Sequence, residues 1–300
     1  MDTERIVELI LTEIKHLQAA SAAPEALRAG EGGRIAPEPK LIPASPAPSA
    51  QPCPATTLPD KLGASKETAA EMLARMRQST SARIGIGKCG ARMRTDDVLR
   101  FRADHAAAKD AVARDVPEAL LRELGLFSVQ TCCRDHDEYL TRPDLGRQLP
   151  AEAAKQIKTA CKPGADVQLY AAGGLSSTAI TANLANILPA ITDGLTAQGL
   201  TVGTPFYLRF ARVPSMDAVS ELLQPKVTCV LIGERPGLAT AESMSAYIAY
   251  QATVGMPESR RTVVSNIHRG GIAAVEAGAY IAELIAKMIE QKASGIDFAR

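Results

Sequence analysis

Residues 227–238 read VTCVLIGERPGL, and this stretch decides the fold. Its first seven residues form a nearly continuous apolar, β-prone run. That is the composition of a strand covered on both faces, not the alternation of a strand with one wet face. The polar, turn-forming ERPG follows directly. The same succession recurs on either side. VQLYAA (167–172) runs into GGLSS (173–177), FYLRFAR occupies 206–212, and RTVVSN (261–266) leads into SNIHRGG (265–271). Helical patterns fill the gaps at 178–199, 216–223 and 271–294. Strands alternating with helices are the mark of crossover connections. The expected fold class is therefore α/β, with a mainly parallel, Rossmann-like sheet over residues 149–300.

Working outward toward the N-terminus, residues 67–148 read as a small helical domain. AAEMLARMR (69–77), TDDVLRFRADHAAAKDAV (95–112) and PEALLRELG (117–125) carry apolar residues at helical spacing. Thr95 is the expected N-cap of the second helix, Pro117 suits a first turn and Gly125 suits a C-cap. Residues 21–66 hold nine of the 19 prolines among Ala, Ser and Gly. Such a composition offers too little burial to offset its ordering entropy, so this stretch is expected to be a linker. Beyond it, residues 1–20 place Ile6, Leu9, Ile10, Ile14 and Leu17 on one face of a short amphipathic helix. Together these make a flexible N-terminal tail whose helix either meets a partner or docks on the body.

Composition narrows the function classes. Of the 300 residues, 46% are hydrophobic and 22% charged, enough for a core, although Trp is absent and aromatics are only 4%. With 34 basic against 33 acidic residues, nothing draws the chain to nucleic acid or an anionic membrane surface. No apolar run approaches the roughly 18 residues of a membrane span. The acidic, amphipathic start differs from a secretion signal. The six cysteines lack metal-ligand spacing and are read as reduced thiols, so the chain is expected in the cytoplasm.

Three loops at expected strand ends carry the chemistry. In GGLSS the glycines allow close backbone approach and the serines suit a helix cap. In GERPGL (233–238), Glu234 sits at the end of a buried strand, where a carboxylate needs a partner. That partner is either Arg235, in an ion pair, or a ligand bearing an amide or hydroxyl. In SNIHRGG, Asn266 stands where DxHxxG has its aspartate, and Asn cannot orient and charge a histidine as a carboxylate does. His268 is therefore read as a hydrogen-bonding loop residue, with no metal ligand expected. Gly85-Ile-Gly87-Lys-Cys-Gly90 matches GxGxxG, but it follows a helical pattern where the dinucleotide fingerprint requires a strand. Neither a GxSxG elbow nor HExxH is present, and no catalytic residue is assigned.

From about Met76 to the end, the order RFRADHAAAKDAV (101–113), YLTRPDLGR (139–147), GLSS (174–177), VGTPF (202–206), GERPGL, SNIHRGG and EQKASGI (290–296) resembles the small subunit of ethanolamine ammonia-lyase. The resemblance implies a non-autonomous subunit of an adenosylcobalamin-dependent lyase that converts ethanolamine to acetaldehyde and ammonia by radical chemistry. It implies a large TIM-barrel subunit as partner, with the corrinoid held at the interface. It places cofactor contacts at Val213, Glu234 and Val263, with Arg212, Arg235 and Asn266 in second rank. The corrinoid keeps its own base on cobalt in this family, so His268 is not expected as an axial ligand. Val263 stands where some members have Cys, Gly173 replaces an acidic residue and Ala239 replaces Gly. The N-terminal helix resembles segments that recruit cargo to bacterial microcompartment shells.

Two other classes compete. A self-contained Rossmann-type dehydrogenase requires GIGKCG to follow a strand. A scaffold or cargo adaptor with a vestigial α/β domain predicts no corrinoid binding in the presence of the large subunit.

Overall fold

The computed structural model describes residues 68–80 and 82–298. The helix expected over 1–20 and the whole of the linker expected over 21–66 lie outside them.

The described chain begins with α1 (Ala69–Gln78). Its N-terminus carries a capping box, in which the Thr68 hydroxyl accepts from the Glu71 N–H at 3.3 Å and the Glu71 carboxylate accepts from the Thr68 N–H at 2.8 Å. A two-stranded hairpin follows, β1 (Lys88–Cys89) against β2 (Arg92–Met93), turning at Gly90 with φ +64°. GIGKCG is thus a helix-to-hairpin connection, and the dinucleotide reading fails for want of a preceding strand. Next comes α2 (Thr95–Ala113), whose N-cap is Arg94, not Thr95. The Arg94 N–H is held by the Gly87 carbonyl at 3.1 Å, which leaves Thr95 as the first helical residue and Asp96 and Asp97 in the first turn.

The body is a six-stranded sheet between two helical layers. Its strands are β3 (Phe127–Gln130), β4 (Val167–Ala172), β5 (Phe206–Arg209), β6 (Val227–Gly233), β7 (Met244–Tyr250) and β8 (Thr262–Ile267). The spatial order is β3-β5-β4-β6-β7-β8. The first four are parallel, and β7 and β8 pair antiparallel at one edge. The α/β class stands, but the sheet is mixed, and its order differs from the 3-2-1-4-5-6 of a dinucleotide-binding sheet. β7 lies in MSAYIAY, a stretch with no strand expected from the sequence. The sheet also takes β3 from before residue 149.

The short α3 (Glu118–Glu123) precedes β3, and α4 (His136–Thr141) and α5 (Ala151–Ala160) lie between β3 and β4. One face of the sheet is covered by α6 (Ser177–Ala197) and α8 (Ala274–Gln291), through Ile180, Leu184, Ile187, Ile281 and Ile285. The other is covered by α5 and α7 (Ser215–Leu223), through Ile157, Met216 and Val219. β6 is buried at all seven positions, as its apolar run requires. The second helical layer stops short of the β7–β8 edge, so Val263 is 38% exposed there. One buried ion pair fastens that edge to α7: Arg261 and Asp217 meet at 2.7 Å with side chains only 1% and 5% exposed.

Candidate functional site

Because β8 is reversed twice relative to β6, it ends at the same edge as the parallel strands. Loops from β4, β5, β6 and β8 therefore converge there, where open parallel sheets place their ligands. The β4 loop packs backbone on backbone against the end of β6. Gly174 has φ +59°, and a Cβ on it would lie 2.3 Å from the Gly233 carbonyl oxygen; a Cβ on Gly233 would lie 2.1 Å from that of Ser176. Only glycine permits this approach. Ser176 then caps α6, accepting from the Ala179 N–H at 3.2 Å, and donates to the Ala241 carbonyl. Asn183 donates to the Glu242 carbonyl at 2.8 Å. The loop after β6 is thus pinned to the first turns of α6.

Glu234 is the centre of this edge. Its Oε2 accepts from the Ser243 hydroxyl at 2.7 Å, and its Oε1 accepts from the Ser245 hydroxyl and, at 3.0 Å, from the Asn266 N–H. Arg235 is exposed and is not among these partners, so of the two alternatives the sequence left open, the ion pair with Arg235 does not form. Half-burial pushes the Glu234 carboxyl up. The hydrogen bonds from Ser245, Asn266 and Ser243 more than reverse this and hold it below the usual range. Three donors leave one of about four acceptor positions on the carboxylate free.

The third loop supports the second. Asn266 has φ +62°, a conformation asparagine tolerates better than most residues. His268 Nδ1 accepts from the Gly270 N–H at 3.1 Å, so Nε2 carries the proton and donates to Asn266 Oδ1 at 2.8 Å. Both ring nitrogens of His268 are engaged within its own loop.

Val213 and Glu234 line one cavity of about 210 Å³, with Leu175, Tyr247, Arg212 and Tyr139. Val263 lies outside it but faces Tyr247 directly across the β7–β8 pair. Tyr247 therefore links all three sequence-assigned positions. Sequence reasoning missed it, along with Ser243 and Ser245. The signal was an alternation: Ser245 and Tyr247 share one face of β7, with Ser243 in step just before the strand, while Met244, Ala246 and Ile248 share the other and enter the core. Burial, and then the nearby Glu234 carboxylate, raise the Tyr247 hydroxyl's pKa. On the opposite wall, the Arg212 guanidinium lies 4.2 Å from the Tyr139 ring centroid and donates to the Tyr139 carbonyl at 2.6 Å.

Comparison with known proteins decides the family. Residues 70–299 match the family described as Ethanolamine ammonia-lyase light chain (EutC). The chain belongs to this family. It is 58% identical over 228 residues to the ethanolamine ammonia-lyase small subunit of Clostridium tetani, covering 76% of this chain and 77% of that protein. It is 55% identical over 222 residues to that of Clostridium perfringens, covering 74% and 75%. The small subunit of Listeria monocytogenes is 53% identical over 223 residues, covering 74% and 76%.

The light-chain match begins within α1 and spans every later element described above. Larger cavities exist, but they lie elsewhere. One of about 500 Å³ sits at the opposite edge of the sheet, between Tyr250 and Asp297, and one of about 550 Å³ lies among α1, α2 and Leu238. Neither contains the Glu234 cluster. Among the described residues, no three or more His, Cys, Asp or Glu side chains are grouped to hold a metal, and the five described cysteines are free thiols. No described helix is long and apolar enough to cross a membrane.

Proposed function

We propose that this chain is the small subunit of an adenosylcobalamin-dependent ethanolamine ammonia-lyase, and that it forms one wall of the corrinoid site beside a large catalytic subunit. The reading rests on one observation above all: the family's chain presents a small, open cavity that joins apolar surface to an ordered acceptor. At about 210 Å³ the cavity is below the roughly 300–1,000 Å³ of a pocket that encloses a drug-sized ligand, so it suits an edge of a larger cofactor and leaves the remainder to a partner.

The donor set fits a corrinoid. A corrin carries apolar ring edges and amide side chains. Val213, Tyr247 and the exposed Val263 offer apolar contact, and the free acceptor position on Glu234 suits an amide N–H. Arg212 and Asn266 are second-rank contacts, one a cation on the wall and the other a support for Glu234. Arg235, exposed on the loop, is the third. When bound, adenosylcobalamin supplies the radical chemistry that turns ethanolamine into acetaldehyde and ammonia. This chain binds and orients, and His268 keeps Asn266 in place. The helix expected over residues 1–20, which lie outside the described residues, is proposed to recruit the complex to a microcompartment shell in the cytoplasm.

Co-expression with a large subunit of the same enzyme, followed by an assay of ethanolamine-dependent acetaldehyde release, tests the reading. Activity that requires both adenosylcobalamin and this chain supports it. A stable complex that is inactive at every cofactor concentration favours a scaffold instead.

A further inference from the structure

Five non-glycine residues among those described have positive φ: Phe210, Gln224, Gln251, Asn266 and Lys292. Gln224 and Lys292 close helices, where left-handed caps are ordinary, and Asn266 is a residue that tolerates the region. Phe210, at +56°, is the bulky aromatic of the set and lies at no helix end. Strain of this kind persists only where the surroundings over-determine it, and it gathers at functional sites.

The surroundings of Phe210 do over-determine it. Its ring stacks on Tyr139 with centroids 5.9 Å apart, meets the His136 ring edge-on at 4.9 Å and carries the Arg209 guanidinium 4.7 Å from its centroid. Its carbonyl accepts from the buried Thr131 hydroxyl at 2.9 Å. Two residues on, the Arg212 N–H donates to the Gly146 carbonyl at 2.8 Å. Gly146 is pressed against the turn, for a Cβ there would lie 2.8 Å from Arg212 Cγ and 3.0 Å from the Phe210 oxygen. The turn delivers Arg212 onto the Tyr139 ring and Val213 into the cavity. Phe210 and Tyr139 also form, with Leu175 packed against them, the apolar cluster under the cavity.

We infer that Phe210 is a positioning residue for the cofactor-facing wall: its clamped ring holds a strained turn that presents Arg212 and Val213. This rests on the corrinoid reading above and extends it to a residue that does not line the cavity.

The test uses the full chain in complex with the large subunit and cyanocobalamin as the probe, measured by equilibrium dialysis with visible absorbance. Phe210→Gly accepts the backbone conformation but lacks the ring, and it is expected to weaken the probe's Kd about tenfold in an intact complex. Phe210→Tyr keeps the ring and stays within about twofold of wild type. Because Phe210 acts through Val213, adding Val213→Ala to Phe210→Gly costs less than Val213→Ala costs alone. Should Phe210→Gly not assemble, Phe210→Leu decides: it has apolar bulk but no ring, and weaker binding supports the inference. Wild-type binding by whichever variant assembles overturns it, as does full additivity with Val213→Ala. Glu234→Gln separates the two ideas. If it weakens binding while Phe210→Gly does not, only the positioning role falls. If wild-type complex binds the probe no better than the large subunit alone, the corrinoid reading falls and takes this one with it.

Discussion

The Asn266 N–H donates to Glu234 Oε1 at 3.0 Å, tying the end of β8 to the loop after β6 across 32 residues of sequence. Two segments that looked like separate motifs are one polar assembly. Glu234 collects the donors, Asn266 supplies one of them from a left-handed backbone, and His268 holds the Asn266 side chain.

Replacing Glu234 therefore disturbs two things. Glu234→Gln keeps one oxygen for the Ser245 hydroxyl and the Asn266 N–H and turns an NH₂ toward the Ser243 hydroxyl, which can rotate to accept, so the lost charge assistance is expected to cost about 1 kcal/mol. Urea unfolding is expected to show that loss in the isolated chain, and corrinoid binding by the complex is expected to weaken further.

Val263 separates binding from stability. At 38% exposure on an uncovered stretch of sheet, Val263→Asp is expected to lower folding stability by only about 1 kcal/mol, the span of strand propensities. It sets a carboxylate beside Tyr247, on a surface we assign to an apolar contact, and should weaken cyanocobalamin binding by the complex. A variant that binds normally argues against Val263 as a contact.

Gly174→Ala tests the backbone crossing. The new Cβ would meet a carbonyl oxygen at 2.3 Å in a left-handed conformation, so both loops must move. A loss above about 4 kcal/mol is expected, in the range reserved for disrupted packing or strained backbone. Thermal unfolding measures it.

The ion pair between Arg261 and Asp217 makes a paired prediction. Arg261→Met strands a buried carboxylate and should cost about 3–5 kcal/mol, whereas Arg261→Met with Asp217→Leu should recover most of it. Chemical denaturation of the two variants gives the comparison.

Stability should fall in acid for identifiable reasons. Asp166 is held at about 2, first by its contact with Lys226 and then by the Thr201 N–H and hydroxyl, against an ordinary 3.8. Glu234 is likewise below its ordinary 4.5. A depressed carboxylate adds stability that is complete above its unfolded value and is lost as pH falls toward the folded one. Urea midpoints should thus decline from about pH 5 downward. Asp166→Asn should flatten the part of that decline between pH 3.8 and about 2.

What the sequence revealed follows from how each feature is encoded. The core strands β4 and β6 were legible because burial on both faces demands continuous apolar runs. β7 was not, because Ser245, Ala246 and Ala249 are weak strand formers and its burial depends on neighbours remote in sequence. GERPGL and SNIHRGG were legible as motifs, but their union through Asn266 is a matter of topology. The left-handed turn at Phe210 has no local sign at all, since neither Gly nor Asn marks it. Contacts from Thr131, Tyr139 and Gly146 impose it from a distance.

The most direct test of the central claim is the affinity of cyanocobalamin for the large subunit alone, for its complex with this chain, and for the complex carrying Glu234→Gln. The account predicts tight binding only in the wild-type complex, with the variant clearly weaker. Equal affinity in all three would contradict a role for this chain in holding the corrinoid.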